Sequence, residues 1–321
     1  MTEVPDIVVL REGTHGLSAG EYADDLRERL PNHDVRHART RAEELKLVER
    51  APIVTGVRIE EEHLDRAEEI KLFACAFAGY GHLPMDELEA QGVTVTNAAG
   101  IHAPSIAEQA IGGILTFARR LHEGWRRTRN AEWRHYQAYE LTGSTVTVVG
   151  LGAIGKATVQ RLQGFEVETI GVRYTPSKGG PTDEVIGFDE EPFHDALSRT
   201  DYLVIACPLS ETTRGLIGRE EFVTLPPEAV LVNVARGGIV DTDDLVWALR
   251  KQYLRGAALD VTDPEPLPAE HPLWNLENVL ITPHNAGHTP RHWDRLADIL
   301  AENVERIEET GRYDDLRNQV L

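Results

Sequence analysis

Lysine is nearly missing from this chain. Only five of its 33 basic residues are lysine, the rest being arginine, and 53 acidic residues bring the formal net charge to −20. Such a surface repels nucleic acid, whose affinity depends on basic side chains neutralising phosphates, so no nucleic-acid partner is expected. Cysteine is equally scarce. Cys75 and Cys207 both sit inside apolar runs, too few for a disulfide framework and wrongly spaced for zinc, so two buried thiols are expected. No stretch of about 20 apolar residues exists, and residues 1 to 30 lack the basic-then-apolar order of a signal segment. A cytoplasmic chain without a membrane partner is the expectation. Internal repeats and low-complexity segments are absent as well.

The charge has a physical consequence. Self-repulsion destabilises a compact state this acidic unless salt screens it, and at molar salt the screening length falls to roughly 3 Å. A halophilic character is therefore expected, with lower stability in dilute buffer.

Along the first hundred residues, β-rich runs ("IVVL", "APIVTGV", "IKLFACAF", "VTVTNAA") alternate with amphipathic stretches such as "EYADDLRERL". This predicts an α/β class and a small parallel sheet with right-handed crossovers. "HAPSIAEQAIGGILTFARRLHEGWRRTR" predicts one long helix from near Pro104, long enough to bridge two lobes. A second series, "TVTVVG", "VETIGV", "YLVIAC", "AVLVNVA", "GAALDV" and "NVLITP", fits a doubly wound sheet of strands buried on both faces. "PSKGGPTDE" reads as a flexible segment, and "HWDRLADILAENVERIEE" as a helix ending near Gly311.

"VTVVGLGAIG" places Gly150, Gly152 and Gly155 directly after a β-rich run and before a helical one. The triplet alone is weak, but its strand-turn-helix context is that of a dinucleotide site. Gly150 suits the tight turn, Gly152 the approach of pyrophosphate, and Gly155 the packing of helix on strand. The next β-rich run ends at Val172, where an acid commonly holds the ribose 2′-hydroxyl of NAD; here stands Arg173. A guanidinium binds a 2′-phosphate bidentately. Tyr174 is placed to stack on adenine, and Thr175, Ser177 and Lys178 offer further donors. NADP(H) is thus the preferred cofactor, with NAD(H) as the alternative.

Three groups follow later β-rich runs: Arg236 in "VNVARGGIVD", Glu265 in "LDVTDPEPL" and His284 in "LITPHNAG". Ligands of open α/β sheets bind at the carboxyl ends of strands, so these three are expected to converge beside the nicotinamide. His284, His288 and His292 recur every four residues, but Pro290 interrupts any helix through them and no carboxylate or cysteine completes a motif. No metal is expected.

With "VVGLGAIG", "CPLSETTRGLIG", "VLVNVARGGIVD", "GAALDVTDPEPLP", "HPLWNLENVLITPHNAG" and "TNAAGIHAPSIAE" in order and at matching spacing, the sequence closely resembles the D-isomer-specific 2-hydroxyacid dehydrogenase family almost end to end. The resemblance implies two doubly wound parallel-sheet lobes. A flavodoxin-like substrate lobe would comprise residues 1–100 plus 290–321, and an inserted Rossmann nucleotide-binding lobe residues 101–289. It implies that Arg236 binds the substrate carboxylate and carbonyl oxygen and that His284 is the acid/base. Glu265 would bond the other imidazole nitrogen and favour the charged ring. It further assigns cofactor contacts to Ala153 and Ile154 (pyrophosphate), Cys207 and Pro208 (adenosine wall), Thr212 or Thr213 nearby, Val234 and Ala235 by backbone, Asp260 (carboxamide), and Arg236, His284 and Gly287. "AFAGYGHLP" matches the family loop whose amides meet the carboxylate, implicating Ala78, Gly79 and Tyr80. Gly81 departs from the family there, standing where an Asp is common.

The implied activity is hydride transfer between NADP(H) and a small 2-oxo acid, giving a D-2-hydroxy acid, in a homodimer. A glyoxylate/hydroxypyruvate reductase differs only in pocket size, and Tyr80, Trp133 and Tyr136 are candidates for shaping that pocket. Phosphoglycerate dehydrogenase fits less well because many members carry an appended domain and this chain ends at Leu321. A dinucleotide-sensing corepressor that keeps the triad is the reading from a different class.

Overall fold

Short runs of Val, Ile, Leu and Phe, buried on both faces, pair in parallel throughout, and polar amphipathic segments cross between them as helices. The structure is a computed structural model that describes residues 5–321. The chain divides into two units, Met1–His102 with His288–Leu321, and Ala103–Gly287.

The first unit holds β1 (Ile7–Val9), β2 (Val35–His37), β3 (Ile53–Gly56), β4 (Leu72–Cys75) and β5 (Thr94–Thr96), in the order β2-β1-β3-β4-β5. Helices α1 (Ala19–Arg29), α2 (Arg41–Leu47), α3 (Glu61–Arg66) and α4 (Met85–Ala90) make the crossovers. That order is flavodoxin-like. In α1, Ala19, Tyr22, Ala23 and Leu26 recur at helical spacing and are buried, with Tyr22 stacked on Trp293 at 4.8 Å between centroids. Ser18 caps this helix by accepting from the Gly20 amide.

The second unit begins with α5 (Ala103–Ala118) and α6 (Leu121–Arg129). The single long helix expected from the sequence is therefore two, broken at Arg120, which adopts a left-handed φ of 51°. Both belong to the second unit. There follow β6 (Thr145–Val149), α7 (Ala153–Leu162), β7 (Glu168–Val172), β8 (Glu184–Ile186), α8 (Glu190–Ser198), β9 (Tyr202–Ile205), α9 (Arg219–Thr224), β10 (Val230–Asn233), α10 (Thr242–Arg250), β11 (Gly256–Leu259) and β12 (Val279–Ile281). The final helix of the chain, α11 (His292–Thr310), returns to the first unit and ends at Gly311 with φ 67°.

The second sheet runs β12-β11-β10-β9-β6-β7-β8, all parallel. This is the Rossmann order with one further strand, and its winding reverses between β6 and β9. Strand β8 starts inside the stretch that reads as flexible, and β2 also escapes the sequence pattern. Each is a three-residue edge strand, "EVI" and "VRH", too short and polar for a period-two signal.

Candidate active site

At the reversal point, the turn after β6 is shaped by its glycines. Gly150 has φ 102°, and a Cβ there would lie 2.6 Å from the Cys207 amide nitrogen. A Cβ on Gly155 would lie 1.8 Å from the Gly150 carbonyl oxygen, whereas one on Gly152 would meet nothing within 4 Å. Gly150 and Gly155 are thus required by the fold, while Gly152 faces open space. Gly152 caps α7, and no side chain among the described residues bonds that end. The first-turn amides at Ala153 and Ile154 are left for an anion, as a pyrophosphate requires.

Beside this turn lies a cavity of about 500 Å³. Its walls come from the glycine turn (Gly150, Leu151, Gly152), the loop after β7 (Arg173, Tyr174, Thr175, Lys178), Phe188, and the loop after β9 (Cys207, Pro208, Ser210, Thr212, Thr213). Among the described residues, none of those lining it is acidic, and Arg173 and Lys178 are its cations. Arg173 is half-buried; one guanidinium nitrogen donates to the Gly179 carbonyl and its amide donates to Ile186 O at 3.0 Å. Tyr174 is largely exposed. Ser177 is exposed in the same loop but does not line the cavity. Thr213 is buried and holds the loop, donating to Pro208 O at 2.7 Å and accepting from the Ser210 amide at 2.8 Å, while Thr212 is exposed. Burial pushes the Cys207 thiol up to about 11, so it is a neutral wall group. Leu151, Phe188 and Ser210 were not anticipated. Phe188 lies beyond β8, a strand hidden in the sequence, and Ser210 is part of "CPLSETTRG", from which only its neighbours stood out.

The loops after β10, β11 and β12 lie side by side because those strands are neighbours in one parallel sheet. They carry Arg236, Asp260 with Glu265, and His284. His284 Nδ1 lies 2.6 Å from Glu265 Oε1, and both side chains are substantially exposed to solvent. Arg236 is exposed; its Nη1 donates to Ala235 O at 2.6 Å, and its carbonyl accepts from Asn233 Nδ2 at 3.1 Å. A Cβ on Gly237 would lie 2.0 Å from Thr262 O, so this turn packs directly on the chain leading to Glu265.

Asp260 is 4% exposed and organises the histidine loop. Its carboxylate accepts from Thr282 Oγ1 at 2.6 Å, the Asn285 amide at 2.9 Å and the Ala286 amide at 3.0 Å, and its carbonyl accepts from the His284 amide at 2.8 Å. His284 itself has φ 51°, a left-handed conformation that a non-glycine residue holds only under constraint. Val234, Asp260 and Thr282 also line a small hollow of about 10 Å³ over β10 and β11; Ala235 is buried next to it and Gly287 ends the unit.

Trp133 is 98% exposed, and Tyr136 packs under the guanidinium groups of Arg120 and Arg127, at 5.6 and 4.8 Å from its centroid. In the first unit, the loop after β4 carries Ala78, Gly79, Tyr80 and Gly81, all exposed. Asn97 Nδ2 donates to Ala78 O at 2.7 Å, and the Leu83 amide to Tyr80 O at 3.0 Å. The amides of Ala78, Gly79 and Tyr80 donate to no partner among the described residues.

A family model described as D-isomer specific 2-hydroxyacid dehydrogenase, NAD binding domain, matches residues 111–286. The chain is 30% identical to a glyoxylate reductase of Pyrococcus furiosus, over 82% of this chain and 80% of that protein. It is 34% identical to the human glyoxylate reductase/hydroxypyruvate reductase, over 77% and 76% respectively. Among solved structures it resembles a D-isomer specific 2-hydroxyacid dehydrogenase from Xanthobacter autotrophicus Py2 in complex with NADPH and MES, with TM-score 0.76, 27% identity, and coverage of 99% of this chain and 98% of that one. With the two parallel sheets, the glycine turn and the loops after β10 to β12, these matches make the chain a member of the D-isomer specific 2-hydroxyacid dehydrogenase family, an oxidoreductase with a nicotinamide-dinucleotide-binding domain.

Proposed function

We propose that this protein is an NADPH-preferring reductase of small 2-oxo acids that forms D-2-hydroxy acids. The observation that carries the cofactor choice is the acid-free cavity beside the glycine turn, with Arg173 and Lys178 in its wall. A guanidinium or ammonium there stabilises a ribose 2′-phosphate, whereas an aspartate would repel it. One well-placed charge-assisted contact contributes about 1.5–3 kcal/mol. The Xanthobacter relative was solved with NADPH, which agrees with this assignment.

When bound, the nicotinamide supplies the hydride. The protein's own groups then have distinct tasks. Arg236 binds the substrate carboxylate and polarises the 2-oxo oxygen. His284 Nε2 gives that oxygen a proton, while Nδ1 stays bonded to Glu265, which fixes the ring. The free amides of Ala78, Gly79 and Tyr80 are proposed as further donors for the carboxylate. Asp260 serves the carboxamide side of the cofactor with the capacity its loop contacts leave. Glyoxylate and hydroxypyruvate are the first substrates to test, since relatives with 30% and 34% identity are named for their reduction. A homodimer, adaptation to high salt and a cytoplasmic location complete the proposal; among the described residues, no helix is long and apolar enough to cross a membrane.

The test is reduction of hydroxypyruvate with NADPH in 3 M KCl, with chiral analysis of the glycerate formed and His284→Gln in parallel. The expected product is the D isomer, and kcat should fall by about 10²- to 10⁴-fold in the variant, the usual worth of a general acid. Cofactor binding without turnover of any 2-oxo acid would overturn the reading and favour a dinucleotide-sensing protein.

A further inference from the structure

Four histidines gather in the first unit, none of them assigned a part in the reaction. His15 lies between β1 and α1, His102 follows β5, His288 precedes α11, and His292 opens it. His102 Nε2 lies 3.0 Å from His292 Nδ1, so one ring donates to the other. The centroid separations are 5.5 Å for His15–His102, 5.0 Å for His15–His292 and 5.1 Å for His102–His292. His288 stacks on His15 at 4.1 Å with a 17° interplanar angle. One ring nitrogen from each of His15, His102 and His292 lies within 4.8 Å of the other two. His292 is fully buried and the other two are half-buried.

Packing polar rings together costs free energy unless their nitrogens are satisfied. Here the internal hydrogen bond satisfies only part of the set. His15 Nδ1 is buried without a hydrogen-bond partner among the described residues. His292 Nε2 likewise lacks a bond of ordinary geometry, although the Ala76 backbone acts weakly on the ring. The spacing matches a common centre. Zinc–imidazole bonds of about 2.0–2.1 Å at tetrahedral angles put ligand nitrogens about 3.4 Å apart and ring centroids about 5.2 Å apart. The centroid separations lie within a few tenths of an ångström of that geometry, and the ring nitrogens, within 4.8 Å of one another, turn inward to reach it.

We infer that His15, His102 and His292 form a binding site for a divalent transition metal, zinc being the best match, with a fourth position open to water. Three imidazoles without a carboxylate suit zinc, copper or nickel and disfavour magnesium and calcium. The rings are also in the right protonation state. Burial, with lesser contributions from His15, Arg295 and His288, lowers His102 to about 4. Burial, with His102 and His15, lowers His292 to about 3, and burial with His288 lowers His15. All three rings are therefore neutral at neutral pH, and the His102–His292 hydrogen bond opens when both turn a nitrogen to the ion. Arg295, which donates to Ile101 O at 2.7 Å, is a nearby cation that opposes the metal and moderates its affinity. A bound ion would tie the β1–α1 loop, the segment after β5 and the start of α11 to one point, and so stabilise the first unit.

The test uses full-length, tag-free protein, stripped with EDTA and then dialysed against zinc, with bound metal measured by elemental analysis and stability by thermal denaturation. Wild type is compared with His15→Phe, which keeps a ring for His288 to stack on, with His102→Gln, and with His194→Gln as a control histidine in the second unit. Expected are one equivalent of zinc and a raised Tm in wild type and His194→Gln, and binding weakened by at least about tenfold in each cluster variant. Absence of zinc from the wild type, or its survival in both cluster variants, would overturn the inference, as would its loss in His194→Gln. Should the cluster variants fail to fold, cobalt added to stripped wild type decides: intense visible bands of four-coordinate cobalt support the site, and their absence refutes it. None of these readouts depends on turnover, so the result is independent of the proposed reaction.

Discussion

Replacing Asp260 by Asn probes how His284 is held. The Asp260 carboxylate accepts from Thr282 Oγ1 and from the amides of Asn285 and Ala286. An asparagine offers one accepting oxygen and one NH₂ that only donates, so in either orientation at least one of these donors faces another donor. At 4% exposure, water cannot repair the loss. A buried donor left without an acceptor costs about 1–3 kcal/mol. That matches the roughly 1–3 kcal/mol stored in a left-handed non-glycine residue such as His284, whose φ is 51°. The loop is therefore expected to relax, moving the imidazole relative to its substrate. If the loss falls on the transition state, kcat drops by about 5- to 150-fold. Steady-state kinetics with NADPH and hydroxypyruvate measure this, with a fluorescence titration of NADPH and a thermal melt to establish that the variant folds and binds. A double-mutant cycle supplies the discriminating readout: in a His284→Gln background, Asp260→Asn should cost little more, because the group it positions is already gone. A folded Asp260→Asn protein with kcat within about twofold of wild type, against the minimum expected from one orphaned donor, would refute the reasoning.

Other consequences are more quickly checked. Gly155→Ala should lower both Tm and NADPH affinity, since its Cβ would lie 1.8 Å from Gly150 O, while Gly152→Ala, with nothing within 4 Å, should keep Tm and lose only affinity; equal effects on Tm would contradict the two roles. Cys207, with its thiol pushed up to about 11 by burial, should alkylate very slowly in folded protein at pH 8 and more slowly still with saturating NADPH, as mass spectrometry of iodoacetamide-treated samples will show. In EDTA, stability should be complete above pH 6.5 and decline as pH falls toward 4, because unfolded histidine takes a proton near 6.5 whereas folded His102 and His292 resist to about 4 and 3. A Tm constant over that interval would mean the rings are not neutral and buried. With a net charge of −20, Tm should also rise between 0.1 M and 3 M KCl, and a flat response would remove the case for salt adaptation.

What could be read in the sequence was whatever a local constraint imposes. The turn at Gly150–Gly155 was legible because glycine alone suits a φ of 102° beside Cys207 at position 150 and a position 155 where a Cβ would lie 1.8 Å from Gly150 O. The central strands were legible because burial on both faces demands unbroken apolar runs. Edge strands β2 and β8 have no such demand and stayed hidden. The break at Arg120 was equally invisible, since apolar spacing continues across it and nothing in the side chain announces a left-handed backbone. Asp260 stood out only as a cofactor residue, because its grip on Thr282, Asn285 and Ala286 exists only once β11 and β12 are neighbours. The histidine cluster is the extreme case. His15, His102 and His292 share no sequence spacing at all, and the regular spacing of His284, His288 and His292 pointed elsewhere: His284 belongs to the second unit.

The most direct test of the account is the ratio of kcat/KM for NADPH over NADH, measured with hydroxypyruvate in 3 M KCl for wild type and Arg173→Asp side by side. Wild type should favour NADPH by roughly 10- to 150-fold, the worth of one charge-assisted phosphate contact, and the aspartate variant should lose or reverse that preference. An unchanged ratio in a folded variant would contradict the claim that Arg173 reads the 2′-phosphate.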